Sequence, residues 1–526
     1  MLNEIWKHPI LWISIVSGLS VIGSYFLRSQ ENTAAKCLRW ASVLNAFIAS
    51  IGLALYLFTP PKVINLWITK GLGLSIQQDS LSLILTTMIS LLGMAILIFS
   101  VNYLEGEKRR LTFLRGILMT GLSAILLVNA GNIVLLFLAW VATSYGLIRL
   151  LVFYKDRLRA HVPARKKMIM ARISDLFLLL AGWQLYTQFG TGQISEIQTG
   201  LINGTFSTAN VQWAAIFIGI AALCKSAQLP FHGWLVEVME TPTPVSALLH
   251  AGILNAGPFL ALRFSFLFNA SESASLMLVI IGGLTAAYAS TVLLTQSAIK
   301  TILGYSSAAH MGFMLFLCGI GAYSAAFLHL VGHSFYKAFA FLESGSAVQE
   351  ISKTGSIVKQ RETSSRLITL ISLGVATTIY GVTAKSLGLS LTDYRYALVG
   401  SIVILGNGLL IASGLRAQQW LNRLMLLSLS AFGVTLLFFK LEQWMHAINV
   451  SVFKQVTPLS PFILVAYMLL FLGYTLLIWL QSSGTTIKPK TIGYSFYIHL
   501  RNGFYLNTYL NKWIGSYKLL YKKETY

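Results

Sequence analysis

Acid is what this sequence has least of. Only 17 Asp and Glu stand among 526 residues, and all charged residues together make up 11%. A water-soluble chain carries roughly 25%, so a soluble enzyme is excluded. With 56% of its residues hydrophobic, so is a disordered chain. Cysteine is nearly absent as well: Cys37, Cys224 and Cys318 are far apart. That leaves no disulfide framework and no pair at metal-ligand spacing, and the three read as small core residues. The chain has no cysteine cluster with histidine or acid at zinc-ligand spacing, no phosphate-cradling glycine-rich loop and no nucleophile motif. Nor does it show the alternation over about ten residues that marks a transmembrane barrel strand.

What is abundant is apolar sequence in runs of about 20 residues, the length that crosses a hydrocarbon core. The spacing predicts spans near 9–27, 41–58, 80–103, 112–130, 133–154, 168–188, 212–239, 243–267, 273–297, 302–321, 323–345, 366–387, 394–415, 420–440 and 461–481. This is an all-α polytopic membrane protein of about 14–15 transmembrane helices. No small-residue cleavage site follows the first run, which reads as a retained helix.

The formal net charge of +22 points away from nucleic acid once the basic residues are placed. Most of the 39 Lys and Arg fall in alternate connections, in clusters such as Lys108/Arg109/Arg110/Arg115, Lys155 to Lys167, Lys353 to Arg366 and the tail from Lys488. The other connections hold Lys7, Lys62, Lys70, Arg395 and Lys454. Such alternation is the positive-inside pattern. It places the N-terminus outside and the C-terminus in the cytoplasm, with anionic lipid as the natural partner of the basic face. The expected organisation is N-terminal helices over 1–79, a conducting core over 80–350, further helices over 351–481 and a basic, aromatic tail over 482–526.

Charges inside the spans carry the functional argument, because each costs about 2.5–3.5 kcal/mol at the bilayer centre. Lys225 lies deep in WAAIFIGIAALCKSAQLPFHGWL, five residues before Pro230, which breaks the helix. A lysine beside such a break can lose and regain a proton; its bland reading is an ion pair locking two helices. His250 stands about two turns into TPTPVSALLHAGILNAGPFLALR, where an imidazole suits proton exchange near neutral pH. His329, His333 and Lys337 repeat at intervals of four in AAFLHLVGHSFYKAFAFLESGSAV and so form one stripe on a helix face. His329 and His333 have metal-ligand character, but no third ligand is suggested nearby, and no metal is expected in this chain. His310 is a weaker relay candidate. Asp175 follows Arg172 by three residues and either pairs with it structurally or tunes Lys225 from the neighbouring helix. Glu237 and Glu240 read as capping or half-channel residues, and the pattern does not choose.

The stretch KSAQLPFHGWLVEVMETPTPVSALLHAG, followed by IKTILGYSSAAHMGFMLFLCGIG and HLVGHSFYKAFAFLESGSAV, resembles the proton-conducting antiporter-type subunits. These include the large antiporter-like subunits of respiratory complex I, the multisubunit sodium/proton antiporters and the membrane hydrogenases. The resemblance spans roughly residues 75–350. It implies two inverted five-helix repeats with broken helices, with Lys225, His250 and Lys337 as relay residues and Lys385, in GVTAKSLGL, at a second broken helix.

One departure is informative. The superfamily usually places a glutamate after a tryptophan on the fifth helix, paired with the lysine of the broken helix; here Val141 follows Trp140. The expected tail is also too short for the long lateral helix of the largest complex I subunit. With WVATSYGLIRLLVFYKDRLRAHVPARKKMIMARISDLFLLLAG, Ala298 before IKTILGYSS, and YIHLRNGFYLNTYLNKWI, the chain is similar to the DabB-type membrane subunits of energy-coupled inorganic carbon pumps. That likeness implies a DabA-type, zinc-binding, cytoplasm-facing partner that hydrates carbon dioxide while this subunit conducts a cation, by the same likeness the proton, across a bacterial inner membrane. No cofactor is expected here; zinc is expected in the partner. The alternatives are a pump subunit of a complex I-like or hydrogenase assembly and a component of a multisubunit sodium/proton antiporter. The aromatic tail reads either as an interfacial helix on lipid or as the partner's docking surface.

Overall fold

The computed structural model describes residues 8–204, 211–238, 241–345, 366–389, 394–414, 420–453, 460–482 and 492–515. Helices α1 (Pro9–Phe26) and α2 (Glu31–Tyr56) open the chain, followed by strands β1 (Lys62–Thr69) and β2 (Leu72–Gln78). The conducting region follows as α3 (Ser80–Tyr103), α4 (Arg110–Val128), α5 (Ile133–Leu151), α6 (Leu158–Phe189), the short α7 (Ile194–Ile202), α8 (Gln212–Lys225) and α9 (Gly233–Val236). It continues through α10 (Thr243–Ala251), α11 (Ala256–Arg263), α12 (Ser265–Ala270), α13 (Glu272–Leu293), α14 (Ile299–Gly319) and α15 (Tyr323–Leu342). Last come α16 (Arg366–Ser386), α17 (Tyr394–Gly414), α18 (Trp420–Ile448), α19 (Pro461–Ser482), α20 (Ile492–Arg501) and α21 (Leu506–Ile514).

Twelve helices among the described residues are long and apolar enough to cross a membrane, and α8 and Pro461–Leu476 are shorter apolar ones. The twenty-residue α15 is less apolar than the twelve because His329, His333 and Lys337 lie along it. Every expected span has a helical counterpart. The all-α membrane architecture is as expected; outside the spans, β1 and β2 form an antiparallel hairpin that the sequence did not signal. Its turn, Lys70–Gly71, has positive φ at both residues (51° and 76°), the conformation that matches strand twist in a two-residue loop. β2 is buried against the segment after α4, with Gln77 N donating to Asn129 O at 2.8 Å and Gly131 N to Ser75 O at 2.9 Å.

Local chemistry fixes the ends of the helices that matter. Asp79 caps α3 in a capping box, its carboxylate accepting from Ser82 N while Ser82 Oγ accepts from Asp79 N. Asn132 caps α5 by accepting from Val134 N at 3.0 Å. α8 ends at Lys225; the chain then turns through Ala227 (φ 54°) and the cis Leu229–Pro230 bond before α9. The next crossing is interrupted too, at Gly252 and the 3₁₀ turn Ile253–Asn255. These two irregular stretches pack directly together. A Cβ on Gly257 would stand 2.1 Å from Ser226 Oγ and 2.5 Å from Ala222 O, so only glycine lets α11 lie against the end of α8. α13 and α14 likewise touch backbone to backbone, Gly282 against Gly312, the small-residue contact by which membrane helices approach closely.

The expected second broken helix is not found within α16, which runs unbroken from Arg366 to Ser386. Its local sequence, without proline, gives no reason to break; the turn after it uses Gly388 at φ 63°.

Candidate ion-relay site

α5, α6 and α8 surround Lys225, which is 1% exposed. Its Nζ donates to Ser144 Oγ at 2.7 Å, to the Trp140 carbonyl at 2.9 Å and to Thr143 Oγ1 at 3.1 Å. It also sits 4.2 Å from the centroid of the Trp140 ring. Three acceptors match the three hydrogens of an ammonium, and both hydroxyls can turn and donate to the lone pair of a neutral amine. The site therefore accepts either protonation state without losing its hydrogen bonds. These α5 groups occupy the place where the resemblance leads one to look for an acid, and the sequence alone did not identify them.

Asp175, on α6, is buried and forms an ion pair of 2.7 Å with the exposed Arg172. It also lies in the fields of Lys225 and Lys167. Lys166 and Lys167 are themselves among the largest fully buried side chains. The sequence pattern places them in a basic connection, before a span expected from residue 168. The helix begins at Leu158 instead, with Pro163 inside it. Lys167 Nζ stands 4.4 Å from the Trp234 ring centroid. Lys166 Nζ contacts Glu237 Oε2 at 2.5 Å and Asn507 Oδ1 at 2.7 Å.

Glu237 is thus held from both sides, with Asn507 Nδ2 and Asn511 Nδ2 donating to its Oε1 at 2.5 and 2.9 Å. Glu240 lies outside the described residues. The tail docks on its own chain, a reading the sequence did not raise: Tyr288 Oη donates to Gly503 O and Gln296 Nε2 to Arg501 O, both at 3.0 Å. A Cβ on Gly233 would meet Asn507 Oδ1 at 1.9 Å. Substituting Asn507 and Asn511 together by alanine should release α21. At 1.5–3 kcal/mol per bond to a charged group, the opening equilibrium should shift about tenfold or more per bond. Faster hydrogen exchange of residues 492–514, with no change in the helices around Lys225, is the readout.

Farther along, His250 is 2% exposed and stacks on Phe341 at 4.2 Å between ring centroids. Lys337, on α15, is fully buried and donates to Leu303 O at 3.2 Å. Lys337 lies in the electrostatic surroundings of His250, His310 and His333. Asn255 joins the α10–α11 interruption to α15 through Ser334 Oγ at 2.7 Å. The sequence expected no third ligand beside His329 and His333. The fold overturns that, because His310 on α14 packs against both: its Nδ1 is 2.9 Å from His329 Nε2, and its ring centroid is 4.8 Å from that of His333. Lys385 is not brought to this set. It stands exposed in the last turn of α16.

The arrangement is a set of buried amines, imidazoles and hydroxyls. The family described as NADH:quinone oxidoreductase/Mrp antiporter, TM, matches residues 130–378, and the complex I chain 5 N-terminus matches residues 67–114. The probable inorganic carbon transporter subunit DabB2 of Halothiobacillus neapolitanus is 35% identical over 491 residues, covering 90% of this chain and 87% of that one. The probable DabB subunit of Hydrogenovibrio crunogenus is 37% identical over 346 residues, 65% of this chain and 66% of that one. NADH-ubiquinone oxidoreductase chain 5 of Metridium senile is 30% identical over 436 residues, 80% and 69% of the two chains. Among solved structures, the Mrp complex from Dietzia sp. superposes with a TM-score of 0.64 at 21% identity, over 94% of this chain and 59% of that one, which speaks for the fold. This chain is a multi-pass membrane protein that belongs to the proton-antiporter-type subunits, in the branch of the DabB inorganic carbon transporter subunits.

Proposed function

We propose that this chain conducts the driving cation, the proton, in an energy-coupled inorganic carbon transporter, and that a separate zinc-binding subunit on its cytoplasmic side hydrates carbon dioxide to bicarbonate. The observation that carries this reading is Lys225: fully buried beside a broken helix and bonded, among the described residues, to a carbonyl and two hydroxyls that serve both its protonation states. The relatives named as inorganic carbon transporter subunits support the cargo. The alternating basic connections support a bacterial inner-membrane setting with the N-terminus outside and the C-terminus in the cytoplasm. The zinc chemistry is the partner's, and this chain supplies transport. One charge crossing 100 mV releases about 2.3 kcal/mol, enough to bias a hydration equilibrium more than tenfold when coupling is tight.

The test is coexpression with a DabA-type zinc-binding protein, in a bacterium lacking carbonic anhydrase. Growth at ambient carbon dioxide is the expected result. Copurification with flavin or iron–sulfur subunits would instead place the chain in a redox-driven pump. Rescue of a sodium-sensitive strain without rescue at ambient carbon dioxide would place it in a sodium/proton antiporter.

A further inference from the structure

His310, His329 and His333 are brought together from two consecutive helices. One ring nitrogen from each lies within 4.8 Å of the others. His329 and His333 are four residues apart on one face of α15, and His310 reaches them from α14. His333 is 5% exposed, and among the described residues neither of its ring nitrogens has a hydrogen-bond partner. A buried imidazole with both nitrogens unmatched is a rare arrangement in a folded protein and calls for a partner. Beside the trio lies a cavity of about 280 Å³, lined by His310, His329, Phe313, Phe316, Tyr467 and Tyr474.

From this geometry we infer that His310, His329 and His333 form a site for a divalent transition-metal ion, zinc being the best fit. Three imidazoles and no carboxylate are a donor set for zinc, copper or nickel rather than for magnesium, calcium or sodium, which take oxygen ligands. Tetrahedral zinc bound at 2.0–2.1 Å brings its nitrogen ligands to about 3.3 Å from one another. The His310–His329 pair already stands at 2.9 Å, and His333 closes the remainder by side-chain rotation. The adjoining cavity leaves room for water as the fourth ligand.

The consequence for the relay follows from charge. Lys337 lies one turn beyond His333 on the same helix, and a dication at the trio repels an ammonium there. Metal therefore takes the imidazoles out of proton exchange and disfavours proton loading of Lys337. The site is inhibitory. This second step rests on the conducting role proposed above, whereas metal binding does not.

Binding is tested on the full chain, purified in detergent micelles with any affinity tag removed, by titration with cobalt(II). The expected result is one tightly bound cobalt with the intense visible absorption of four-coordinate geometry, displaced by one equivalent of zinc. H310Q and H333Q should each weaken binding at least tenfold, while H161Q, at a half-buried histidine on α6 outside the trio, should leave it unchanged. H310Q guards against misfolding of the more buried H333Q, and both are compared with the parent by thermal unfolding without metal. Pale six-coordinate cobalt, or affinity that survives both substitutions, would overturn the site. In the assembled transporter, micromolar zinc should block proton uptake in the parent, half-block should fall at the concentration that displaces cobalt, and a chelator should restore uptake. Metal binding without block would overturn the inhibitory step.

Discussion

Replacing Lys225 by alanine should abolish proton uptake by the assembled transporter while leaving the protein in the membrane at its normal level. A positioned proton-transfer group contributes about 100-fold or more, and no other amine contacts Thr143, Ser144 and the Trp140 carbonyl among the described residues. Thr143 Oγ1 already bonds the Trp140 carbonyl at 2.8 Å, so the truncated site keeps part of its hydrogen bonding and the fold survives. The sharper variant is Lys225→Arg. A guanidinium keeps the charge and can reach the same acceptors, but it does not give up its proton. If Lys225 only ties α8 to α5, arginine should support growth at ambient carbon dioxide. If it carries the proton, arginine should fail as completely as alanine. Normal proton uptake by K225R, read by quenching of a pH-sensitive dye in vesicles, would remove Lys225 from the relay.

The membrane class, the span positions and the first broken helix are legible in the sequence because each is a one-dimensional signal: run length, charge alternation, and proline five residues after lysine. What is not legible depends on which helices touch. Thr143 and Ser144 are ordinary small polar residues on α5 until α8 places Lys225 against them. His310 looks isolated in AAHMGFM, and only the packing of α14 on α15 makes it a neighbour of His329 and His333. Lys166 and Lys167 were hidden differently. A basic run beside a proline looks like a connection, but Pro163 lies inside α6 and does not end it. The hairpin was overlooked because two short strands between long apolar runs carry a weak signal. Lys385 shows the converse error. It occupies the last turn of its helix as Lys225 does, yet it is exposed, so position along a helix does not by itself bury a charge.

Arg263 and Asp79 supply the other large effect, on stability. The sequence marks Arg263 as a charge within a span but gives no hint of its partner, 184 residues away. Asp79 and Arg263 are joined by an ion pair at which both side chains are essentially shielded from solvent. Arg263 Nη2 also donates to Val128 O at 3.0 Å, and Gln77 Nε2 to Asp79 Oδ2 at 2.9 Å. The pair therefore ties the start of α3 to the ends of α11 and α4. Arg263→Met leaves the carboxylate buried with only Gln77 and the Ser82 amide as donors. Breaking such a pair costs about 3–5 kcal/mol, chiefly through the uncompensated charge. Converting Asp79 to Asn in the same chain removes that charge and keeps an oxygen for the α3 cap. The double variant should therefore unfold in detergent at a temperature well above that of Arg263→Met alone and close to that of the parent. If the two substitutions instead add independently, the carboxylate is not what makes the single variant unstable, and Arg263 would hold the fold mainly through the Val128 carbonyl and its packing on Phe259.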